Sequence, residues 1–317
     1  MIKADLVTGF LGSGKTTFIK KYVSYLLSKG QKVGILENDF GAVNVDMMLL
    51  SPLANENCEL EMVAGGCDYD CHVRRFKTKL IQMYMSGYDR VIVEPSGVYD
   101  VDEFFDVLRE SPLENWYEIG NVFAIVDSHL ENDLSEQSRY MLASQLACAG
   151  KVVFSSTQTA SEDDMKNTLE IMNSSLEETK CRRRFTLDEC ELKNWEEFNQ
   201  ADFENLLKSG YRLEDHVKQQ VQKENSFDSI YLMNMEISLE ELKGKANEVL
   251  HDESLGNVFR IKGFLQDEKG WHELNATKRE MKTDSIENGQ SIVIIIGEKL
   301  NREKIEKVFA KYNPKYQ

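Results

Sequence analysis

Hydrophobic and polar positions follow two alternating patterns in the first half of the chain. Short and mostly apolar runs predict strands at residues 4–8, 32–36, 90–93, 122–126 and 152–154. Between them, apolar residues recur at helical spacing and predict helices at residues 18–27, 73–85, 101–108 and 134–148. Because buried strands that alternate with helices pair in parallel, this half predicts an α/β fold with a mainly parallel sheet flanked by helices.

The pattern changes in the second half of the chain. A basic run at residues 181–185 is expected to add one more strand, and polar sequence follows it. From residue 229 a new series begins, with strands predicted at 230–235, 258–265, 271–276 and 291–297. Ser238 with Glu241 forms a capping box that opens one helix, and Asn301 caps another. We therefore expect two domains, residues 1–225 and a small α+β domain of residues 226–317.

Charge and length exclude several classes of partner. The 317 residues include 38 Lys and Arg against 54 Asp and Glu, which gives a net charge of −16. Such a chain is poorly suited to bind nucleic acid or an anionic membrane, because both are recognised through basic residues. No apolar run reaches the roughly 18–20 residues that cross a bilayer, and Lys3 and Asp5 argue against a signal peptide. The six cysteines are irregularly spaced, which is typical of free thiols. With the lack of a signal-peptide pattern, they predict a protein of the reducing cytoplasm.

Residues 9–17, GFLGSGKTT, fit the phosphate-binding pattern G-x-x-x-x-G-K-S/T between a predicted strand and a predicted helix. The glycines let successive backbone N–H groups face a phosphate, and the helix N-terminus adds partial positive charge. Lys15 would reach the β- and γ-phosphates, and the Thr16 hydroxyl is a hard oxygen ligand for Mg²⁺. The nucleotide contacts expected from this loop are Gly9, Gly12, Ser13, Gly14, Lys15, Thr16 and Thr17. The alternative is a glycine-rich turn that binds nothing.

Two acidic residues are candidates for the rest of a nucleotide-hydrolysing site. Glu94 follows the apolar run 90–93, where a carboxylate can hold Mg²⁺ or its water. Gly97 would let the backbone approach a γ-phosphate. Asp39 follows the second predicted strand and could bind Mg²⁺ or position the attacking water. Lys15, Asp39 and Glu94 are the expected catalytic residues, with ordinary turn chemistry as the alternative for the two carboxylates.

Several segments together resemble one family of P-loop proteins. Residues 37–41, ENDFG, with Asp46, are similar to its N-E-F-G segment and following aspartate, and residues 64–67, AGGC, to the start of its G-C-x-C-C motif. Residues 94–97, EPSG, resemble its E-x-S/T-G segment, and residues 260–264, RIKGF, resemble a strand of its C-terminal domain. The family is the metal-trafficking branch of P-loop GTPases, and within it the CobW-like proteins, which are related to UreG and HypB.

The resemblance covers nearly the whole chain. It implies a P-loop NTPase domain with a CobW-type C-terminal domain, Mg²⁺-dependent GTP hydrolysis, and delivery of a transition metal or a metal-containing cofactor to a client. A metalloprotein or a corrinoid protein is the client that it suggests. No arginine finger or water-positioning glutamine can be assigned, so we expect slow intrinsic turnover. The rival interpretations are a small-molecule kinase on the same scaffold and a nucleotide-gated binding protein that does not hydrolyse.

The sequence departs from the family where the base is read. The family has an N-K-x-D segment after the strand at 152–154, and this chain has Ser155-Ser156-Thr157-Gln158. Gln158 offers one acceptor and a competing donor where an aspartate would accept two hydrogen bonds, and Ser156 lacks the stem of a lysine. We expect Ser155, Thr157 and Gln158 to line a base site with weak preference between GTP and ATP. A plain polar turn is the alternative.

The sequence departs from the family again at the thiols. Where the family has three thiols in four positions, residues 67–72 read CDYDCH. Cys67, Cys71 and His72 form a candidate site for Zn²⁺, Co²⁺ or Ni²⁺, because these metals favour thiolate and imidazole ligands. The alternative is a pair of half-buried thiols without a metal. Elsewhere, residues 182–184, RRR, are expected to form a solvated edge rather than an anion site.

Overall fold

The computed structural model describes residues 1–10, 12–39, 45–64, 69–95, 101–130, 132, 134–214 and 227–314. The chain divides into two compact units, Met1–Gln219 and Gln220–Gln317. Among the described helices, none combines the length and the apolar character that a bilayer crossing needs.

The first unit is built on a seven-stranded sheet. Its strands are β1 (Ile2–Gly9), β2 (Val33–Asp39), β3 (Cys58–Ala64), β4 (Arg90–Pro95), β5 (Tyr117–Asp127), β6 (Lys151–Ser155) and β7 (Cys190–Glu191). They lie in the order β3-β2-β4-β1-β5-β6-β7, and neighbouring strands pair in parallel. All strands therefore finish at one end of the sheet, its carboxyl end, which Gly9, Asp39, Pro95 and Ser155 mark. The opposite end, where Ile2 and Arg90 begin their strands, is its amino end.

The helices of this unit connect the strands. They are α1 (Lys15–Ser28), α2 (Val45–Leu50), α3 (Tyr69–Met85), α4 (Val101–Leu108), α5 (Glu136–Cys148), α6 (Glu162–Glu178) and α7 (Gln200–Leu206). In α1, Phe18 and Tyr22 stand one turn apart and pack against Phe123 of β5. This apolar contact holds the start of α1 over the carboxyl end of β1.

In its described residues, the second unit is a five-stranded antiparallel sheet with two α-helices. Its elements are β8 (Phe227–Met233), α8 (Leu239–His251), β9 (Asn257–Asp267), β10 (Gly270–Thr277), β11 (Met281–Ile286), β12 (Ile292–Glu298) and α9 (Arg302–Phe309). The strands lie in the order β11-β10-β9-β12-β8. The predicted capping box of Ser238 with Glu241 and the predicted Asn301 cap are confirmed.

The predicted fold class is confirmed, and two local predictions are wrong. Residues 181–185 form no strand; the last strand of the first sheet is β7, two residues long. Arg183 is buried rather than solvated, and it donates hydrogen bonds to the carbonyl oxygens of Leu146, Ala147 and Ala149 at the end of α5. Burial lowers the pKa of Arg183 to about 10. The guanidinium therefore donates hydrogen bonds to carbonyl groups at the end of α5 that have no partner within the helix.

Candidate phosphate and metal site

The loop between β1 and α1 lies at the carboxyl end of the sheet, and its shape depends on glycine. Gly9 has φ 150°, and a Cβ there would collide with the Ile125 carbonyl oxygen and lie 2.6 Å from Ser13 Oγ. Gly14 precedes α1 in the left-handed region, with φ 99°. Leu11 lies outside the described residues. The loop turns around the N-terminus of α1, where backbone N–H groups and the helix dipole favour an anion.

Lys15 and Thr16 are the first residues of α1, and both are buried. Lys15 Nζ donates hydrogen bonds to the carbonyl oxygens of Gly9 at 3.2 Å and Phe10 at 3.3 Å, so its ammonium group lies against the loop. Thr16 Oγ1 donates to Glu94 Oε1 at 2.9 Å. The next residue, Thr17, is exposed. The structure thus joins the loop to the carboxylate at the end of β4.

A second buried carboxylate stands beside Glu94. Glu37 of β2 is the register partner of Glu94 on β4, and the two residues are 2 % and 4 % exposed. Neighbours in register on parallel strands place their side chains on the same face of the sheet. Two carboxylates and the Thr16 hydroxyl are the hard oxygen ligands that Mg²⁺ prefers, so these residues fit that ion. Asp39 ends β2, and its side chain lies outside the described part.

Several buried polar atoms at the carboxyl end have no hydrogen-bond partner among the described residues. They are Thr8 Oγ1, Ser13 Oγ, both polar atoms of the Asn38 amide, and Ser155 Oγ. The four side chains are at most 5 % exposed. Because buried polar groups in folded proteins are nearly always hydrogen-bonded, such a concentration indicates a surface that binds a polar ligand.

The segment expected to read the base forms a turn between β6 and α6. Ser155 is buried, and its Cβ lies 3.4 Å from the position of a Cβ on Gly14. Ser156 has φ 57°, and its hydroxyl donates to Asp127 Oδ2 at 3.3 Å. Thr157 is half-buried and Gln158 is exposed. Of the expected base-site residues, the structure therefore brings Ser155 next to the phosphate loop and leaves Gln158 in solvent.

The candidate thiol site is only partly within the described residues. Cys67 and Gly97 lie outside them. Cys71 is half-buried in the first turn of α3, and His72 beside it is fully buried. Cys71 borders a surface cavity of about 390 Å³ that Met62, Arg74, Arg75 and Lys79 also line. In the described part of the chain, no group of three His, Cys, Asp or Glu side chains is close enough to hold a metal ion.

Two residues of this region are absent from the predicted site residues. Glu37 is one; in the sequence it appears only as the first residue of the segment 37–41 that resembles the family, a carboxylate in an apolar strand two residues before Asp39. Trp195 is the other, and its ring lies 3.2 Å from the position of a Cβ on Gly14. Nothing in the local sequence around Trp195 indicates this, because the contact depends on where β7 joins the sheet.

Comparison with known proteins identifies related sequences. The family described as CobW/HypB/UreG, nucleotide-binding domain, matches residues 3–185, and the cobalamin synthesis protein cobW C-terminal domain matches residues 240–312. The zinc chaperone YeiR of Escherichia coli (strain K12) is 31% identical over 154 residues, which are 48% of this chain and 46% of that protein. The zinc chaperone YjiA of the same organism is 26% identical over 172 residues, 51% of each chain. The chain therefore spans about half the length of these curated relatives.

Solved structures that resemble this chain include two proteins whose names also occur in the sequence comparison. The Zn(II)-bound YjiA GTPase from E. coli is 20% identical, with a TM-score of 0.38 over 98% of this chain and 99% of that chain. The hydrogenase maturation factor HypB from Archaeoglobus fulgidus is 17% identical, with a TM-score of 0.36 over 55% and 78% of the two chains. At such low TM-scores, the family assignment depends on the sequence matches alone.

Proposed function

The chain belongs to the CobW/HypB/UreG nucleotide-binding family, and from this premise we propose that it is a Mg²⁺-dependent P-loop nucleoside triphosphatase. GTP is the nucleotide that the family suggests, and ATP is the other candidate. Hydrolysis switches the segment from Asp39 to Cys71 and so delivers a transition metal, or a metal-containing cofactor, to a client protein. The observation that carries the proposal is the Thr16 hydroxyl 2.9 Å from Glu94 beside the glycine loop, because a triphosphatase holds Mg²⁺ with such a pair.

The residues of the site have distinct roles in the proposed reaction. Water attacks the γ-phosphorus, the bond from that phosphorus to the bridging oxygen breaks, and the nucleoside diphosphate leaves. Lys15 and the loop amides stabilise the negative charge that develops on the phosphoryl oxygens. Thr16, with Glu94 or Asp39, would hold Mg²⁺, which would supply further positive charge to the phosphates. We infer slow intrinsic turnover, below about 1 s⁻¹, because no arginine finger or water-positioning glutamine is assigned.

The proposed cargo site is formed by Cys67, Cys71 and His72. Curated relatives of this chain are named zinc chaperones, which supports Zn²⁺ as the first candidate. Co²⁺ and Ni²⁺ prefer similar ligands and are the other candidates. A metalloprotein or a corrinoid protein is the proposed client, in line with the family resemblance.

The domain boundary, the cellular location and the classes of partner are also proposals. We propose a division into a nucleotide-binding domain of residues 1–225 and a C-terminal domain of residues 226–317. A cytoplasmic location is supported by Cys58, Cys181 and Cys190, which are buried as thiols in the described part of the chain. The net charge of −16 supports a protein that binds neither nucleic acid nor an anionic membrane.

Replacement of Lys15 by Ala tests the phosphate site. Lys15→Ala removes the ammonium group that faces the β- and γ-phosphates, so triphosphate affinity should fall at least about tenfold. Lys29→Ala is the matched control, since Lys29 follows the far end of the same helix and pairs with Glu204 at 3.6 Å. Calorimetric titration with GTP and ATP measures both variants, and urea unfolding without nucleotide checks that each is folded.

Phosphate release under the same conditions distinguishes the proposed function from its rivals. Release from GTP or ATP by the wild-type chain, lost in Lys15→Ala, supports a triphosphatase. Equal nucleotide affinity in the wild type and Lys15→Ala would refute the assignment of the loop. Tight nucleotide binding without phosphate release would instead favour a non-hydrolysing switch, and a phosphorylated product that requires an added acceptor would favour a kinase.

A further inference from the structure

Trp195 lies in contact with the phosphate loop. It opens a short 3-10 turn, Trp195–Glu197, that follows β7. A Cβ on Gly14 would lie 3.2 Å from Trp195 Cη2, and the indole also packs edge-on against Phe18, with centroids 5.6 Å apart and planes at 64°. The indole is only half-buried. An indole ring is therefore held beside the loop, on a residue that is partly open to solvent.

Contacts on both sides fix the turn that carries Trp195. Asn194 Oδ1 accepts a hydrogen bond from the Glu196 backbone N–H at 3.1 Å, and Glu196 pairs with Lys21 of α1. Lys193 pairs with Asp202 of α7 at 2.7 Å. An aromatic side chain held in this way loses little conformational freedom when a ligand stacks on it.

The position of the Mg²⁺ ligands decides which part of a nucleotide reaches Trp195. Glu94 belongs to β4, which lies on one side of β1, and a Mg²⁺ ion held by Thr16 and Glu94 would lie near the terminal phosphates of a bound nucleotide. The ribose and the base must then extend past Gly14 to the other side of β1, where β5, β6 and β7 lie. Ser155 and Trp195 are on that side, and both approach Gly14.

We propose that Trp195 is the platform on which the nucleobase stacks, in place of the lysine stem that Ser156 cannot supply. This inference rests on the proposed function. Trp195 Nε1 and Ser155 Oγ have no hydrogen-bond partner among the described residues, so a donor and a hydroxyl are available to the ribose or the base. Every purine has an aromatic face, so stacking discriminates little between guanine and adenine. The site therefore recognises purine nucleotides by stacking and binds GTP and ATP with similar affinity.

Titration with nucleotides and with a phosphate chain that lacks a base tests this proposal. GTP, ATP and inorganic tripolyphosphate are each titrated with Mg²⁺ into the full chain. Trp195→Ala should lower the affinity for both nucleotides by about 5- to 100-fold and leave that for tripolyphosphate within about twofold. Trp195→Phe retains an aromatic ring and should recover most of the nucleotide affinity. Trp116→Phe is the control, since Trp116 stacks on Tyr84 with centroids 4.4 Å apart.

Each outcome separates the base platform from the phosphate site. Unchanged nucleotide affinity in Trp195→Ala would overturn the proposal, and so would an equal loss for tripolyphosphate, which would make Trp195 a support of the loop. A wild-type chain that binds neither tripolyphosphate nor nucleotide would refute the proposed function itself. Tryptophan emission gives a second readout: GTP should quench it in the wild type and in Trp116→Phe but not in Trp195→Phe.

Discussion

The two ends of the first sheet differ in how many hydrogen-bond partners their buried polar groups have within the protein. Near the amino end, the fully buried Asp5 carboxylate accepts hydrogen bonds from Arg90 Nη1 at 2.7 and 2.6 Å, from the Tyr22 hydroxyl at 2.6 Å and from Asn121 N at 2.7 Å. At the carboxyl end, the equally buried Thr8 and Asn38 have polar atoms with no partner among the described residues. Both ends belong to the same strands, so burial by itself does not distinguish a structural polar group from a functional one.

Asp5, Arg90 and Tyr22 form the amino-end cluster, and their mutual interactions determine which of these side chains are charged. Burial alone would lower the pKa of Arg90, but the neighbouring Asp5 carboxylate, together with Tyr22 and Glu118, outweighs burial and raises that pKa. Burial, and then Asp5, raise the pKa of Tyr22 well above its usual value. Arg90 therefore stays charged and Tyr22 stays protonated as a donor. The Asp5 carboxylate is thus satisfied inside the protein, although Arg90 Nε has no partner among the described residues, whereas the carboxyl end presents several such groups that a ligand can satisfy.

The largest expected effect is the loss of Asp5. Asp5→Ala leaves the buried Arg90 guanidinium without its counter-ion and removes the acceptor for Tyr22 and Asn121. The free energy of unfolding should fall by about 3–5 kcal/mol, as measured by urea unfolding without nucleotide. Lys77→Ala is the control; Lys77 pairs with Glu110 at 2.6 Å near the surface, and the cost should stay below about 1 kcal/mol. Similar costs for the two variants would contradict a structural role for the amino end.

The next effect concerns coupling at the carboxyl end. A metal at Cys67 and Cys71 would lie in the chain between Asp39 and Glu94, and it would change the charge near the nucleotide. Zn²⁺ affinity should therefore differ by about 5- to 150-fold between the diphosphate and the non-hydrolysable triphosphate complexes. Metal titration in both nucleotide states measures this difference.

The double variant Cys67→Ser, Cys71→Ser is the control for the coupling experiment. It should abolish the difference and spare nucleotide binding, because hydroxyls are poor ligands for borderline-soft metals. If the double variant binds Zn²⁺ as tightly as the wild type, the two cysteines are structural. The nucleotide would then have no metal site to control at this place.

The smallest expected effect is a change in the free energy of unfolding, and it is tested by comparing two buried threonines. Thr8→Val removes a hydroxyl that the described residues leave without a partner, so the free energy of unfolding without nucleotide should rise by about 1 kcal/mol. Thr168→Val is the matched substitution, since the Thr168 hydroxyl donates to the Ser128 carbonyl oxygen at 2.8 Å and accepts from Leu130 N at 3.2 Å. Its loss should lower the free energy by about 1–3 kcal/mol. Equal destabilisation by both substitutions would show that the Thr8 hydroxyl is satisfied in the folded protein, and would remove the argument that the carboxyl end holds unsatisfied polar groups.

Local sequence patterns are sufficient to predict the position of the phosphate loop and of many helices and strands around it. The motif at residues 9–17 fixes where β1 ends and α1 begins, because glycine conformations and the order Lys-Thr are local properties. β3 is missing from the sequence predictions even though its charged residues alternate with apolar ones, a pattern typical of a strand at the edge of a sheet. β7 was misplaced because two residues are too few to carry a periodic signal.

Side chains that meet across strands are the part of the site that the sequence does not reveal. Glu37 stands beside Glu94 only because β2 pairs with β4 in one particular register. Trp195 reaches Gly14 only because β7 joins the sheet next to β6. Arg183 was expected in solvent because three consecutive arginines usually are, yet one of them completes the end of α5. All three placements are decided by tertiary pairing, which one sequence does not encode locally.

Helix α1 is clamped to the sheet at two points. Thr16 is hydrogen-bonded to Glu94 of β4, and Tyr22, six residues later and about 9 Å along the axis, is hydrogen-bonded to Asp5 of β1. A rod fixed at two points can neither slide nor turn about its axis without breaking one of these bonds. The helix that carries Lys15 is therefore expected to stay in place, and any displacement that follows the proposed hydrolysis must come from other segments that move relative to it.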